Sequence, residues 1–234
     1  MLLLAFDTTT AACSVALANT GQLIAEVTTI IPRTHSQRLL PLVHGLLSET
    51  PYAISDVEGI AVSRGPGSFT GLRIGLATAR GLALALNVPV VGISSLEVLA
   101  HGAGVNGLVC PTLNARREQV YAGLFRAGDG QPQVLIDGQA LASDDLLAQL
   151  SQWEEPVWFC GDAGEPVWQQ ARHKLAEARL VPAHYRWNRA AALADLAFCR
   201  WQQGEMVTEQ QLTPLYLRES QAELLRRQSV EKNG

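Results

Sequence analysis

The sequence has little positive charge, and its lysines and arginines form no evident cluster. Its 234 residues include 18 Lys and Arg against 22 Asp and Glu, which gives a formal net charge of -4. Neutralising a nucleic-acid backbone requires basic residues clustered on one surface. The composition therefore argues against unaided binding to nucleic acid.

Hydrophobic runs that could enter a membrane are also missing. The apolar segment Met1 to Phe6 is followed at once by Asp7 and has no basic flank, which predicts a strand and not a signal peptide. The most apolar stretch, Gly71 to Leu86, is interrupted by Arg73 and Arg80, and no run reaches membrane-spanning length. We expect no membrane association and a cytoplasmic location.

The cysteines and histidines show no pattern typical of metal binding. Cys13, Cys110, Cys160 and Cys199 are far apart and lie in apolar segments, which favours buried free thiols over disulfides. The five histidines include no pair at the spacing of metal ligands. The sequence predicts no metal site.

The most informative stretch combines a strand, a glycine turn and a helix. The strand pattern of Val57 to Val62 stops at Gly65-Pro66-Gly67, and Thr70 can cap the helix that follows from Gly71 to Leu86. This helix is apolar on almost every side. Because an ordinary surface helix keeps one polar face, we expect this one to be covered on two sides.

Small residues along this helix form two rows at four-residue steps. One row contains Gly71, Gly75 and Ala79, and the other contains Ala77, Gly81 and Ala85. Each row allows a neighbouring backbone to approach closely. One neighbour is expected to be the chain's own sheet, and the other is either a second helix of this chain or a helix of a partner.

The order of predicted elements repeats, which indicates an α/β protein with two duplicated lobes, each a mixed sheet flanked by helices. Each half has three strands before its first helix, and a closing helix is predicted over Ala190 to Trp201. We assign residues 1–104 to an N-terminal lobe that contains the glycine turn, residues 105–213 to a C-terminal lobe, and residues 214–234 to a tail.

The glycine turn does not match three common catalytic or cofactor motifs. No Lys-Ser/Thr pair follows it as in a P-loop. The spacing of Gly65, Gly67 and Gly71 is one residue too wide for a dinucleotide fingerprint. A serine-hydrolase elbow has glycine two residues before its serine, but Pro66 stands at that position before Ser68. A peptidase activity therefore has no support from this motif.

Several motifs together resemble the bacterial TsaB (YeaZ) family over nearly the whole chain. They are Asp7-Thr8-Thr9, the run from His35 to Pro41, the run from Gly65 to Gly75, Arg116 to Tyr121, and Pro214 to Arg218. The resemblance implies the fold of actin and acetate kinase. It also implies a non-catalytic paralogue of TsaD, the subunit that transfers a threonylcarbamoyl group to N6 of adenosine 37 of tRNA, acting in one complex with TsaD and the ATPase TsaE.

Three positions bear on the implied lack of catalysis. Ser95 and Leu99 stand where we align the two metal-binding histidines of TsaD-like subunits, and serine is a weak ligand while leucine is none. Asn114 stands where family members and active kinases usually have Asp, and an amide is no general base. A small-molecule kinase or ATPase of the same fold, or an enzyme of the peptidase class, remains an alternative.

The loop Asp7 to Thr10 follows the first predicted strand. An acid followed by hydroxyls at a strand end can hold a phosphate or close a turn on itself, and the pattern favours the closed turn. Both this loop and the glycine turn end strands of one sheet, so we expect them at one edge of the cleft between the lobes. The candidate residues for weak nucleotide binding there are Asp7, Thr8, Thr9, Gly65, Gly67 and Ser68.

The helices predicted over Ser36 to Ser48 and Gly71 to Leu86 carry more apolar surface than one sheet face can cover. We predict a homodimer in isolation that exchanges for a heterodimer with TsaD through the same face, with tRNA bound only through the complex. The candidate interface residues are Leu39, Val43, Leu46, Arg73, Ala77, Arg80 and Leu84.

Overall fold

A computed structural model describes residues 1–31 and 34–218, and its first half forms a five-stranded mixed sheet. Three antiparallel strands come first, and two parallel strands then extend the sheet from β1, in the order β3-β2-β1-β4-β5. The strands are β1 (Leu2–Asp7), β2 (Cys13–Asn19), β3 (Gln22–Thr29), β4 (Gly59–Ser63) and β5 (Val90–Ile93).

The second half repeats this sheet with the same connectivity, in the order β10-β9-β6-β7-β8. Strands β6, β7 and β8 are antiparallel, and β9 and β10 add in parallel on the other side of β6. The strands are β6 (Gly107–Arg116), β7 (Gln119–Ala127), β8 (Gln133–Ala142), β9 (Val157–Cys160) and β10 (Ala178–Leu180). The predicted duplication, with three strands before the first helix of each half, is confirmed.

Within residues 1–31 and 34–218, six α-helices flank the two sheets, and two of them pack on the sheet of the other half. The helices are α1 (His35–Ser48), α2 (Phe69–Leu86), α3 (Ser95–His101), α4 (Ser143–Leu150), α5 (Gly164–Ala171) and α6 (Ala190–Gln202). Helix α3 packs on β6 and β7, whereas α6 packs on β1 and β2. The packed units therefore differ by these two helices from the sequence-based lobes 1–104 and 105–213.

The packing of α6 on the first sheet, and not on the second, agrees with the small size of its buried side chains. Ala190, Ala194 and Ala197 face the first sheet, whose strands present Ala5 and Ala16 at this surface. Small residues on both sides let helix and sheet approach closely. Sequence order alone does not show which sheet such a helix covers. Of the predicted tail, residues 214–218 belong to no helix or strand, and residues 219–234 lie outside the described part of the chain.

Helix α2 packs on the first sheet through one of its two rows of small residues. A Cβ atom added at Gly71 would lie 2.0 Å from the Thr8 carbonyl oxygen, and one at Gly75 would lie 2.5 Å from Thr8 Oγ1. Ala79 is fully buried. The predicted contact of this row with the chain's own sheet is confirmed, whereas at Gly81, in the second row, an added Cβ would meet no atom within 4 Å.

Helix α2 begins earlier than predicted because Ser68, not Thr70, is its N-cap. The Ser68 hydroxyl oxygen accepts a hydrogen bond from the Gly71 amide at 3.3 Å. The 18 residues of α2 have a mean hydropathy of 1.2, which by length and composition is enough to cross a membrane. The expectation that no apolar run reaches this length is thus corrected, and the packing of α2 on a sheet accounts for the same composition.

All four cysteines are free, and Cys13, Cys110 and Cys160 are buried while Cys199 is partly exposed. Burial raises the pKa of Cys13 to about 11 and also raises the pKa of Cys110. The buried thiols therefore remain protonated near neutral pH, where they act as small apolar core groups.

The first sheet supplies the N-terminal cap of α6, which has none of its own. The Ala190 amide donates to Ser14 Oγ at 2.8 Å, and the Ala191 amide donates to Glu26 Oε1 at 3.0 Å. The same Glu26 carboxylate, whose side chain is 6% exposed, pairs with Arg189. Glu26 on β3 therefore fixes the N-terminal end of α6 on the first sheet.

We predict that Glu26→Ala lowers the free energy of unfolding by about 2 kcal/mol, because it removes a helix cap and leaves the Ala191 amide without its acceptor. Urea unfolding measures this loss. The matched control is Glu205→Ala, which removes an exposed partner of Arg200 and is expected to cost less than about 0.5 kcal/mol. Equal losses in the two variants would contradict the role of Glu26.

Candidate functional site

A cavity of about 560 Å³ lies between the two lobes. One wall is the glycine turn with the first turn of α2, at residues 66–70, 72 and 73. The opposite wall is the turn between β6 and β7, at residues 114–117, together with Tyr121. The C-terminal segment 215–218 also lines this space, so three separate parts of the chain surround it.

The glycine turn is held against the loop between β1 and β2. The Ser68 amide donates to the Thr9 carbonyl oxygen at 2.7 Å, and Thr8 Oγ1 donates to the Gly71 carbonyl oxygen at 2.7 Å. A Cβ atom at Gly67 would lie 2.3 Å from the Thr9 carbonyl oxygen, so no larger residue fits there. The predicted proximity of the two loops is confirmed.

The acidic loop closes on itself and does not face the cavity. Asp7 Oδ1 accepts hydrogen bonds from the amide and the hydroxyl of Thr9, both at 2.8 Å. Burial raises the pKa of Asp7, and the hydrogen bonds from Thr9 oppose that rise. Asp7, Thr8 and Thr9 are each 1% exposed and lie outside the cavity lining, so their side chains close the turn and do not face this cavity.

Only two of the three other candidate phosphate residues reach the cavity. Gly67 and Ser68 line it, whereas Gly65 lies behind the segment 215–218. A Cβ atom at Gly65, which has a φ of +104°, would lie 2.7 Å from the Leu215 carbonyl oxygen. Gly65 therefore serves the packing of this segment and not a ligand.

The turn between β6 and β7 is organised by Asn114. The side-chain Oδ1 of Asn114 accepts a hydrogen bond from the backbone amide of Arg116 at 2.7 Å. The backbone amide of Asn114 donates to Asp162 Oδ1 at 2.8 Å. Arg116, Arg117 and Glu118 then adopt left-handed backbone angles, with φ values of 62°, 52° and 63°. The Asn114 carboxamide oxygen thus stabilises a turn that presents two adjacent arginines.

The cavity lining is basic and aromatic. Arg73, Arg116, Arg117 and Arg218 line it, and its lining contains no carboxylate. Of these, Arg73 was identified from the sequence as a contact residue, but the cluster was missed because its members are far apart in the chain. The adjacent Arg116 and Arg117 were the one local signal.

Four of the seven candidate interface residues lie on an exposed face. Arg73, Ala77, Arg80 and Leu84 are exposed along α2, and Leu84 is 69% exposed. The Arg80 guanidinium also donates to the Leu212 carbonyl oxygen, so it holds the C-terminal segment against this helix.

The other three candidates are buried, so their side chains do not lie on this exposed face. Leu39, Val43 and Leu46 recur on one side of α1 and belong to the core between this helix and the first sheet. Their spacing of four and three residues is that of a single helix face. The apolar side chain that α1 leaves exposed is Leu40.

Ser95 and Leu99, the positions aligned with metal-binding histidines, are buried in α3 with at most 1% exposure. The Ser95 amide donates to the Gly65 carbonyl oxygen at 2.9 Å, so this hydrogen bond joins the start of α3 to the glycine turn. Within residues 1–31 and 34–218, His, Cys, Asp and Glu form no group of three that could hold a metal ion.

Comparisons with known proteins agree with the fold. Residues 20–224 match the family model described as TsaD, tRNA N6-adenosine threonylcarbamoyltransferase. The chain is 35% identical to the tRNA threonylcarbamoyladenosine biosynthesis protein TsaB of Bacillus subtilis, over 95% of this chain and 96% of that one.

Two solved structures extend these similarities. YeaZ from Pseudomonas aeruginosa is 34% identical, with a TM-score of 0.81, and the match covers 92% of this chain and 99% of that one. The activator of 2-hydroxyisocaproyl-CoA dehydratase from Clostridium difficile has a TM-score of 0.51 and 11% identity. The match covers 92% of this chain and 100% of that one, and it indicates a shared fold and nothing about function. The two-lobed fold and the 35% identity to TsaB over 95% of this chain together show that the chain belongs to the TsaB (YeaZ) family of tRNA threonylcarbamoyladenosine biosynthesis proteins.

Proposed function

We propose that this chain is a non-catalytic subunit of the complex that transfers a threonylcarbamoyl group to N6 of adenosine 37 of tRNA. It acts as the dimerisation scaffold and activator of a TsaD-type catalytic subunit, with the ATPase TsaE as a further partner. The exposed face of α2 is the single observation that carries this proposal, because it is a surface suited to docking a second two-lobed protein.

The inter-lobe cavity supports a role without catalysis. Its lining contains no histidine, cysteine or carboxylate, so no general base or thiol nucleophile faces it within the described chain. The Ser68 hydroxyl caps α2 and has no base beside it. These features favour a scaffold over the kinase, ATPase and peptidase alternatives.

The exposed face of α2 combines small residues with one large apolar side chain. Ala77 and Gly81 leave the helix backbone open to close approach, and Leu84 projects beside them. Helix α1 packs next to α2 and exposes Leu40, which is 52% exposed. Together the two helices offer an apolar surface against which another pair of helices can pack.

A paralogue with the same duplicated fold carries an equivalent pair of helices. Two copies of this chain can therefore join through this face with two-fold symmetry, and a TsaD-type subunit can replace one copy. In that arrangement the homodimer and the heterodimer compete for one surface, and tRNA is engaged by the assembled complex.

We predict that Ala77→Glu abolishes both assemblies, because a carboxylate buried in a close-packed helix contact without a partner costs several kcal/mol. Analytical ultracentrifugation is expected to give a monomer mass, and a pull-down is expected to lose the TsaD-type partner. Ala148→Glu, an exposed substitution on α4, is the matched control and leaves both assemblies intact. A variant Ala77→Glu that still dimerises and supports modification would rule out this face.

We predict that the isolated chain forms no modified adenosine and retains no stoichiometric zinc or iron. The reason is that Ser95 and Leu99 supply no strong metal ligand. Incubation with tRNA and the substrates of the transfer, followed by nucleoside analysis, tests the first part, and elemental analysis tests the second. The reaction with the TsaD-type subunit added is the positive control. Product from this chain alone would make it an enzyme.

We predict that free ATP binds weakly, with a Kd well above the micromolar range and no dependence on magnesium. Asp7 is buried under the glycine turn, and the cavity lining offers no carboxylate for a nucleotide-bound metal. Titration calorimetry with and without magnesium measures this. Micromolar binding that requires magnesium would favour the ATPase alternative.

A further inference from the structure

Of the four arginines that line the inter-lobe cavity, Arg73 also belongs to the candidate docking face of α2, whereas the other three play no part in the docking role. Arg73, Arg116, Arg117 and Arg218 reach the cavity from α2, from the β6–β7 turn and from the C-terminal segment. Within residues 1–31 and 34–218, none of the four forms an ion pair with a carboxylate. Four guanidinium groups around one cavity favour a ligand with several negative charges.

Aromatic rings lie among these arginines. Phe69 and Tyr216 are 43% and 46% exposed, and their ring centroids are 5.8 Å apart. The Arg73 guanidinium lies 3.8 Å above the Phe69 ring, and Tyr121 lines the opposite wall. Exposed rings next to guanidinium planes form the kind of platform on which unpaired bases stack.

The glycine turn is not built to cradle a triphosphate. Three amides at the turn and in the first turn of α2 are already used, since Ser68 donates to the Thr9 carbonyl oxygen, Gly71 donates to Ser68 Oγ, and Leu72 donates to the Ser68 carbonyl oxygen. The cavity also lacks a carboxylate that could hold magnesium. Charge spread along the walls suits the separated phosphates of a polynucleotide better than the compact charge of a nucleotide bound to a metal ion.

We propose that this cavity binds an unpaired segment of RNA. Arg116, Arg117 and Arg218 contact successive phosphodiester groups, and one base stacks on Phe69 and Tyr216. The proposal deepens the proposed function, on which it rests for the identity of the RNA, because it gives the scaffold subunit its own contact with the nucleic acid in the complex. The contact is local, so the negative net charge of the whole chain keeps it weak in the isolated protein.

The first test compares two charge-matched double variants in binding to a fluorescein-labelled single-stranded RNA of about ten nucleotides. Arg116→Gln with Arg117→Gln removes two cavity arginines, and Arg172→Gln with Arg179→Gln removes two exposed arginines elsewhere in the second half. Anisotropy at low salt is expected to show at least a tenfold loss for the cavity variant only. The salt dependence of binding is expected to become weaker: the magnitude of the negative slope of log K against log salt decreases by about 1.4, since each phosphate contact to a single strand contributes about 0.7.

A second variant separates stacking from charge. Phe69→Leu keeps every arginine, so it is expected to weaken single-strand binding about tenfold while leaving the salt slope unchanged. Urea midpoints within the range of the wild type show that the variants are folded. The Arg116→Gln, Arg117→Gln variant is expected to pull down the TsaD-type partner as the wild type does. Loss of RNA binding with the partner retained then concerns the cavity alone, and loss of the partner concerns the docking role.

Three results would overturn the proposal. The first is equal affinity of the cavity variant and its control for the single strand. The second is binding of duplex RNA as tight as that of the single strand. The third is displacement of the RNA by micromolar ATP with magnesium, which would assign the cavity to a free nucleotide.

Discussion

The close contact between the glycine turn and the loop after β1 is the constraint on which the rest of this structure depends. Gly67 and Gly71 each lie against backbone atoms of Thr9 and Thr8, with no room for a Cβ atom. This contact sets the position of α2 on the sheet. The position of α2 in turn determines which of its faces is exposed and where its first turn meets the cleft.

The same contact closes the acidic loop and the glycine turn against each other. Asp7 Oδ1 accepts hydrogen bonds from the Thr9 amide and hydroxyl beneath the turn, the Ser68 amide donates to the Thr9 carbonyl oxygen, and the Gly71 amide donates to Ser68 Oγ. Loops that would otherwise surround a nucleotide are packed against one another. The open space is thereby moved toward the arginines of the β6–β7 turn and of the C-terminal segment.

Much of the fold could be predicted from the sequence, because strand patterns, the glycine turn and the duplication are local or periodic signals. The packing of α3 and α6 could not, since periodicity shows that a helix has an apolar face but not which sheet that face covers. The exposure of the candidate interface residues was predicted only in part. The leucines of α1 and the small residues of α2 both suggest burial, and only the structure shows that Leu39, Val43 and Leu46 are buried by the chain itself.

The C-terminal segment links the two surfaces of this protein mechanically. The Arg80 guanidinium, on the exposed face of α2, donates to the Leu212 carbonyl oxygen, the Leu215 amide bonds to the Arg64 carbonyl oxygen, and Arg218 bonds to the Ala115 carbonyl oxygen at the cavity wall. A protein that docks on α2 and draws the Arg80 guanidinium away releases one end of this tether. The face proposed for docking and the inter-lobe cavity therefore share one structural element, the segment from Leu212 to Arg218, so a protein docked on α2 would act on the same segment that lines the cavity.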